Sequence, residues 1–208
     1  MIKVSRAVII DDHQLFADSF SLLLEKYKLF EQIYLSYTIE DFNDFLIALD
    51  KKDVYIFLDY YLKEKNGLSL LPEIKRLNKN ARIVFVTSAT SPSVIQNILF
   101  SKPHGIISKF CDPATLIECI QHVEAKESFL DTHIEKILKD YHAQFPTFTP
   151  RELELLRYFA DGLNIADTAD KISLSMHTII AHRRKMMKKA NCHSMGQLIK
   201  YAQDHELI

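Results

Sequence analysis

Five polar residues close four apolar runs, and their types suit phosphoryl chemistry. Asp11 and Asp12 end AVIIDD, Asp59 ends YIFLD, Thr87 ends IVFVT and Lys109 ends GIISK. Neighbouring carboxylates repel one another unless a cation joins them. Hard oxygen ligands near open solvent suit Mg²⁺. Such an ion keeps the carboxylates charged and can bridge an incoming phosphoryl group, with Lys109 as additional positive charge. Asp59 is then the expected nucleophile, forming an aspartyl-phosphate. Lys109 would neutralise one phosphoryl oxygen and Thr87 would donate a hydrogen bond to another. Each residue alone has a plainer explanation, since an aspartate at a strand end is often a helix cap. Their convergence carries the argument.

A second chemistry lies near the other end of the sequence. Between Asp170 and Asp204 there is no acidic residue, but Lys171, Arg183, Arg184, Lys185, Lys188, Lys189 and Lys200 are present. The whole chain has a net charge of −1, so this block stands out locally rather than globally. A local positive block suggests an anionic partner, the alternative being a solvated helix face. A short helix at about Ile165–Ile172, a turn at Ser173–Ser175 and a basic helix from about Met176 to Ala190 make a helix-turn-helix pattern. The second helix of such a pair enters the DNA major groove, while nearby cations engage phosphates.

These groups need elements to hold them. The first 125 or so of the 208 residues alternate short apolar runs with amphipathic ones. Strands are expected at Ala7–Ile10, Gln32–Ser36, Val54–Leu58, Ile83–Val86 and Gly105–Ile107. Helices are expected at Gln14–Tyr27, Ile39–Leu49, Leu68–Leu77, Pro92–Phe100 and Pro113–Val123. Five strands alternating with five helices predict an α/β doubly wound, five-stranded parallel sheet. Functional groups of such sheets gather beyond the carboxyl ends of the strands. From about residue 148 the strand signals vanish. Thr149, Pro150 and Glu152 in TPREL form a helix start with a capping box. Helices at Pro150–Ala160 and Ser194–Gln203 flank the helix-turn-helix pair, so an all-α four-helix domain is expected. The expected division is 1–125, a linker helix and joint at 126–147, and 148–208. Ile134, Ile137, Leu138 and Tyr141 mark the linker helix, and Ala143–Thr147 the joint.

Bulk properties narrow the class. A hydrophobic fraction of 48% can build a core. No apolar run approaches the roughly 20 residues of a membrane span. MIKVSRAVII carries no signal-peptide pattern. Cys111, Cys119 and Cys192 are odd in number and lack metal-type spacing, which fits a reduced, cytoplasmic protein.

At the DD pair, LDYYL with Gly67 eight residues past Asp59, Thr87 followed by small residues, and Lys109, the first half resembles a bacterial response-regulator receiver domain. The resemblance implies that Asp59 accepts phosphate from a sensor histidine kinase. It implies that Asp12, Asp59 and the backbone carbonyl of Tyr61 bind Mg²⁺, with Asp11 supporting the ion through water. FTPRELELLRYFADGL and ISLSMHTIIAHRRKMMKKA resemble the LuxR-type helix-turn-helix, so the chain as a whole resembles a NarL/FixJ-type response regulator. By position, Ile180, Ala181 and Arg184 would face base edges of double-stranded DNA. Ser175, His177, Thr178, Arg183, Lys185, Lys188 and Lys189 are the phosphate-contact candidates. The last helix, with Met195, Leu198, Ile199 and Ala202, would pair with its twin in a homodimer on DNA.

The chain departs from the family at four places. Ile106 stands where many receivers have an aromatic switch residue, and Lys63 where proline is frequent. Ile180 replaces a usual cation, and Asn164–Asp167 replace the usual Ser-Asn-Lys-Glu. The leading reading is a phosphorylation-controlled transcription factor rather than an enzyme. One alternative is an atypical regulator working mainly through protein–protein contacts, with weak or phosphorylation-independent DNA binding. Another is a phosphohydrolase, which would want a second aspartate where Tyr61 stands.

Overall fold

The computed structural model describes residues 4–48, 53–63, 66–139 and 145–208. Leu49, Tyr141 and Ala143, which the sequence placed in a helix, the linker and the joint, lie outside them. Strands β1 (Val4–Ile10), β2 (Phe30–Ser36), β3 (Tyr55–Leu58), β4 (Arg82–Thr87), β5 (Gly105–Ser108) and β6 (Phe129–Leu130) form one sheet in the order β2-β1-β3-β4-β5-β6. Its pairs are parallel. Parallel pairing requires crossovers. These carry α1 (Gln14–Lys26), α2 (Ile39–Ala48), α3 (Leu71–Leu77), α4 (Pro92–Phe100) and α5 (Pro113–Glu124).

Alternation along the strands makes two cores, because successive side chains point to opposite faces. Val8, Ile10, Ile56, Leu58, Ile83 and Phe85 share one face and Ala7, Ile9, Tyr55, Phe57, Val84 and Val86 the other. All four residues of β3 are buried, as expected for a central strand covered on both sides.

Two expectations need correction. The sheet has six strands, not five, because Phe129–Leu130 pairs with β5 at Gly105 and Ile106. A helix does follow within the expected linker, α6 (Thr132–Lys139), and it packs on α4 and β5. The expected helix Leu68–Leu77 is a 3-10 turn at Gly67–Leu70 followed by α3. Pro72 lies in the first turn of α3, where its missing N–H does no harm; deeper in a helix it would break a bond.

Beyond residue 145 come α7 (Pro150–Ala160), α8 (Ile165–Lys171), α9 (Met176–Lys189) and α10 (Met195–Asp204). Side-chain oxygens of Thr149, Asn164, Ser175 and Ser194 cap their first turns. Leu153, Leu156, Ile179, Met186, Leu198 and Ala202 form their shared interior, in one cluster with Ile134, Phe148 and a face of the sheet. Among the described residues no helix is long and apolar enough to cross a membrane.

Candidate functional site

The strand order turns between β1 and β3: from β1 the chain goes out to β2 and returns past β1 to β3. Ligand crevices form at such a switch point. Asp11 and Asp12 follow β1 there and Asp59 follows β3, its N–H bonded to the Ile10 carbonyl at 3.0 Å. Thr87 ends β4 and Lys109 follows β5, with the Lys109 N–H bonded to the Thr87 carbonyl at 2.9 Å. All five therefore stand at one edge.

Charge balance is local and tight. The Lys109 ammonium lies 2.6 Å from Asp11 Oδ2 and 2.7 Å from Asp59 Oδ2. Asp11 is 2% and Asp59 1% exposed, so this is a buried triad rather than a surface pair. Asp11 Oδ1 accepts from the His13 N–H at 2.9 Å. The Phe16 ring lies 4.7 Å from the Lys109 nitrogen, within cation–π range. Burial pushes the Asp59 carboxyl up to about 6, with the Lys109 charge and hydrogen bond, and then the Tyr61 N–H, working against it.

Two carboxylate oxygens remain: Asp12 Oδ1 and Asp59 Oδ1 are buried without a hydrogen-bond partner, His13 Nδ1 lying 3.4 Å from the first. A buried, unpaired carboxylate oxygen is costly and calls for a cation or a donor. One ligand atom each from Asp11, Asp12, His13 and Asp59 lies within 4.8 Å of the others. The three carboxylates are hard oxygen donors of the kind Mg²⁺ takes, so the donor set fits the ion. Thr87 is fully buried, and its Oγ1 accepts from the Ala89 N–H at 3.1 Å, leaving its own proton to donate. Gly67 folds against this loop so closely that a Cβ there would collide with the Asp59 carbonyl oxygen.

The sequence reading missed His13 and Phe16. Adjacency to the DD pair was a signal for His13, and the spacing of one helical turn past Asp12 was one for Phe16. It also missed Asp131, whose buried carboxylate accepts from the Ser108 N–H at 2.9 Å and the His133 N–H at 2.8 Å, tying β5 to α6.

The basic helix presents a defined face. His177, Ala181, Arg184 and Lys188 follow a spacing of four, three and four residues, which puts them on one side of α9, and all four are exposed. Lys185 is exposed beside them. Ser175 caps the helix through the Thr178 N–H at 3.1 Å, and the two hydroxyls lie 2.8 Å apart. Ile180 and Arg183 sit on the flank, half-buried, lining a cleft with Met176, Met195 and Ile199. Lys189 departs from the expected phosphate role. Its ammonium is 2.6 Å from Glu152 Oε2 and 2.9 Å from the Thr147 carbonyl, so it serves the interior of the helical domain.

A doubly wound parallel sheet with a carboxylate cluster at its switch point, joined to a helix-turn-helix with an open basic face, defines a signal-receiving domain coupled to a DNA-binding one. Known proteins give the same answer. Residues 7–121, more than half the chain, match the response regulator receiver domain, and residues 146–202 match the luxR family of bacterial regulatory proteins. The chain belongs to the response-regulator receiver family and, with its LuxR-type domain, is a two-component response regulator of the NarL/FixJ type.

The chain is 26% identical to the Fimbriae Z protein of Salmonella typhimurium, over 99% of this chain and 100% of that protein. It is 28% identical to a nitrate/nitrite response regulator protein homolog of Haemophilus influenzae, over 91% of each. In fold it is similar to the Salmonella typhimurium response regulator RcsB, with a TM-score of 0.61 at 21% identity, covering 98% of this chain and 100% of that one. A structure of two RcsB dimers bound to two parallel DNAs gives a TM-score of 0.59 at 23% identity, over 96% and 98% of the two chains.

Proposed function

We propose that Asp59 is the phosphoryl acceptor of this regulator, supplied by a sensor histidine kinase, and that its state governs DNA binding through α9. The observation that carries the reading is the pair of buried oxygens on Asp12 and Asp59, satisfied by no hydrogen bond, beside the Lys109 ammonium. Asp59 Oδ2 is held by Lys109, so Oδ1 is the free nucleophilic oxygen. It attacks phosphorus, and the bond from phosphorus to the donor breaks with its electron pair leaving on the donor. The Lys109 ammonium then neutralises a phosphoryl oxygen and the Thr87 hydroxyl donates to another. Asp12, Asp59 and the Tyr61 carbonyl would hold Mg²⁺, with Asp11 supporting it through water. Bound there, the ion supplies the positive charge that lets a phosphate approach three carboxylates.

On the DNA side, the His177–Ala181–Arg184–Lys188 face of α9 suits the major groove. Ala181 and Arg184 would meet base edges, with Ile180 at the flank positioned to pack on a thymine methyl. Ser175, His177, Thr178, Lys185 and Lys188 would meet phosphates. α10 would form the homodimer contact, and the site of action is the cytoplasm.

Labelling with acetyl phosphate and Mg²⁺ tests the acceptor. Asp59→Asn keeps the shape but loses the nucleophile, so it should take up no phosphate. Labelling equal to that of the unaltered protein would overturn the assignment.

A further inference from the structure

Spacing turns five side chains of the helical domain toward a common space. Met176, Ile180 and Arg183 follow one another by four and three residues along α9, and Met195 and Ile199 by four along α10, so each set shares a helix face. With Ile165 of α8 they wall a cleft of about 600 Å³. Small-molecule sites span roughly 300–1,000 Å³ and are mostly apolar, with a few placed polar groups. Met176 is 56% exposed and the other five are half-buried, so the cleft opens to solvent. Two of its walls are methionines, whose unbranched chains adjust to the shape of a guest. Ile165 and Ile180 stand at two of the places where this sequence departs from the LuxR-type pattern, and both departures put an aliphatic side chain on the cleft wall.

Arg183 is the one charged residue among those that line the cleft. Arg76, Arg82 and Arg151 each hold a glutamate. Among the described residues Arg183 has no such partner, and its Nε–H is buried without an acceptor. A buried donor left unsatisfied is costly. A carboxylate meets a guanidinium through two parallel hydrogen bonds, which would engage that N–H. It also brings one negative charge to one cation. A phosphate group would bring about two, leaving charge unbalanced among apolar walls.

We propose that this cleft binds a small molecule with an apolar body and a single carboxylate. The carboxylate lies on Arg183 and the body packs against Ile165, Ile180, Met195 and Ile199. Gly196 and Lys200 of α10 are exposed outside the cleft, so the outer side of that helix stays free for a second copy of the chain.

The methionines supply the reporters. In the full chain carrying ¹³C-methyl methionine, Met176 and Met195 line the cleft, whereas Met186 is fully buried and serves as the control. The probes are octanoate, octan-1-ol, acetate and octyl phosphate, added separately and followed by NMR. Octanoate should shift the Met176 and Met195 methyl signals saturably and leave Met186 in place. Octan-1-ol lacks the charge and should bind roughly tenfold more weakly, the scale of losing a hydrogen bond to a charged group. Acetate lacks the body and should shift neither signal. Arg183→Leu should lower octanoate affinity to that of octan-1-ol while leaving octan-1-ol binding unchanged. Octanoate that binds the unaltered protein no better than octan-1-ol would overturn the proposal, a comparison that needs no variant. So would Met186 shifting as far as Met176 and Met195, or Arg183→Leu binding octanoate as well as the unaltered protein. Tighter binding of octyl phosphate would overturn the carboxylate class. Met176 and Met195 signals that move with protein concentration alone would show a second copy covering the cleft, and would overturn it as a small-molecule site.

Discussion

Lys109 does two tasks, and they can be separated. It bridges Asp11 and Asp59 in a buried setting, and in the proposed reaction it would neutralise a phosphoryl oxygen. Removing one partner of a buried ion pair leaves the other charge uncompensated, at about 3–5 kcal/mol. Lys109→Ala should thus lower the stability of the metal-free protein by about that amount. Added Mg²⁺ should recover part of the loss, because the ion would take over the neutralisation. Urea unfolding with EDTA and with Mg²⁺ checks this; a midpoint unmoved by the substitution would mean that the triad contributes nothing. Gly67 makes a simpler prediction. A methyl group there must displace the loop carrying Asp59, so Gly67→Ala should slow phosphate labelling as well as destabilise the fold. Labelling at the unaltered rate would show that the loop yields freely.

At the scale of elements, α9 divides its cations between two duties. Lys188 is exposed on the open face, whereas Lys189 is tied to Glu152 and Thr147. Lys188→Ala should weaken DNA binding for all sequences and flatten the salt dependence by about one unit. Lys189→Ala should leave that slope nearly unchanged and lower stability instead. Equal slope changes in the two variants would contradict the division. The ion pair also has a pH signature. Burial pushes the Glu152 carboxyl up, but the Lys189 ammonium and the Thr149 N–H outweigh it and hold it below its ordinary 4.5. A group depressed in the folded state contributes its stability above the unfolded value and loses it as pH falls through the folded one. Glu152→Gln should cost about 1.5–3 kcal/mol near neutral pH. That difference should shrink only below about 4.5, which unfolding curves at several pH values would show.

The same elements show what the sequence made legible. Strands β1, β3, β4 and β5 were readable because each is an apolar run ending in a polar residue, and the start of α7 because Thr149, Pro150 and Glu152 make a helix start with a capping box. β6 was not, since Phe129 and Leu130 are too few to show a period; only their pairing with Gly105 and Ile106 makes them a strand. The partner of Lys189 was hidden by distance, because Glu152 lies 37 residues away and local pattern explained it fully as a capping-box residue. The carboxylate cluster was legible in its members but not in its wiring. Nothing local says that Lys109 lies between Asp11 and Asp59, or that Phe16 flanks it.

At the scale of the whole molecule, one core holds a face of the sheet, Ile134, Phe148 and the interior of the helical domain. The Phe148 N–H donates to Asn97 Oδ1 at 2.6 Å, and the segment after α10 completes the contact. Such docking depends on residues 51 and 112 positions apart, which no periodicity encodes. It also means that the two domains are not beads on a string. The most direct test of the account is DNA affinity of the full chain, measured by fluorescence anisotropy at fixed salt before and after acetyl phosphate with Mg²⁺, with Asp59 occupancy checked by mass. The account predicts tighter binding once Asp59 carries phosphate, and no change for Asp59→Asn under the same treatment. Equal affinities for fully phosphorylated and unphosphorylated protein would contradict it.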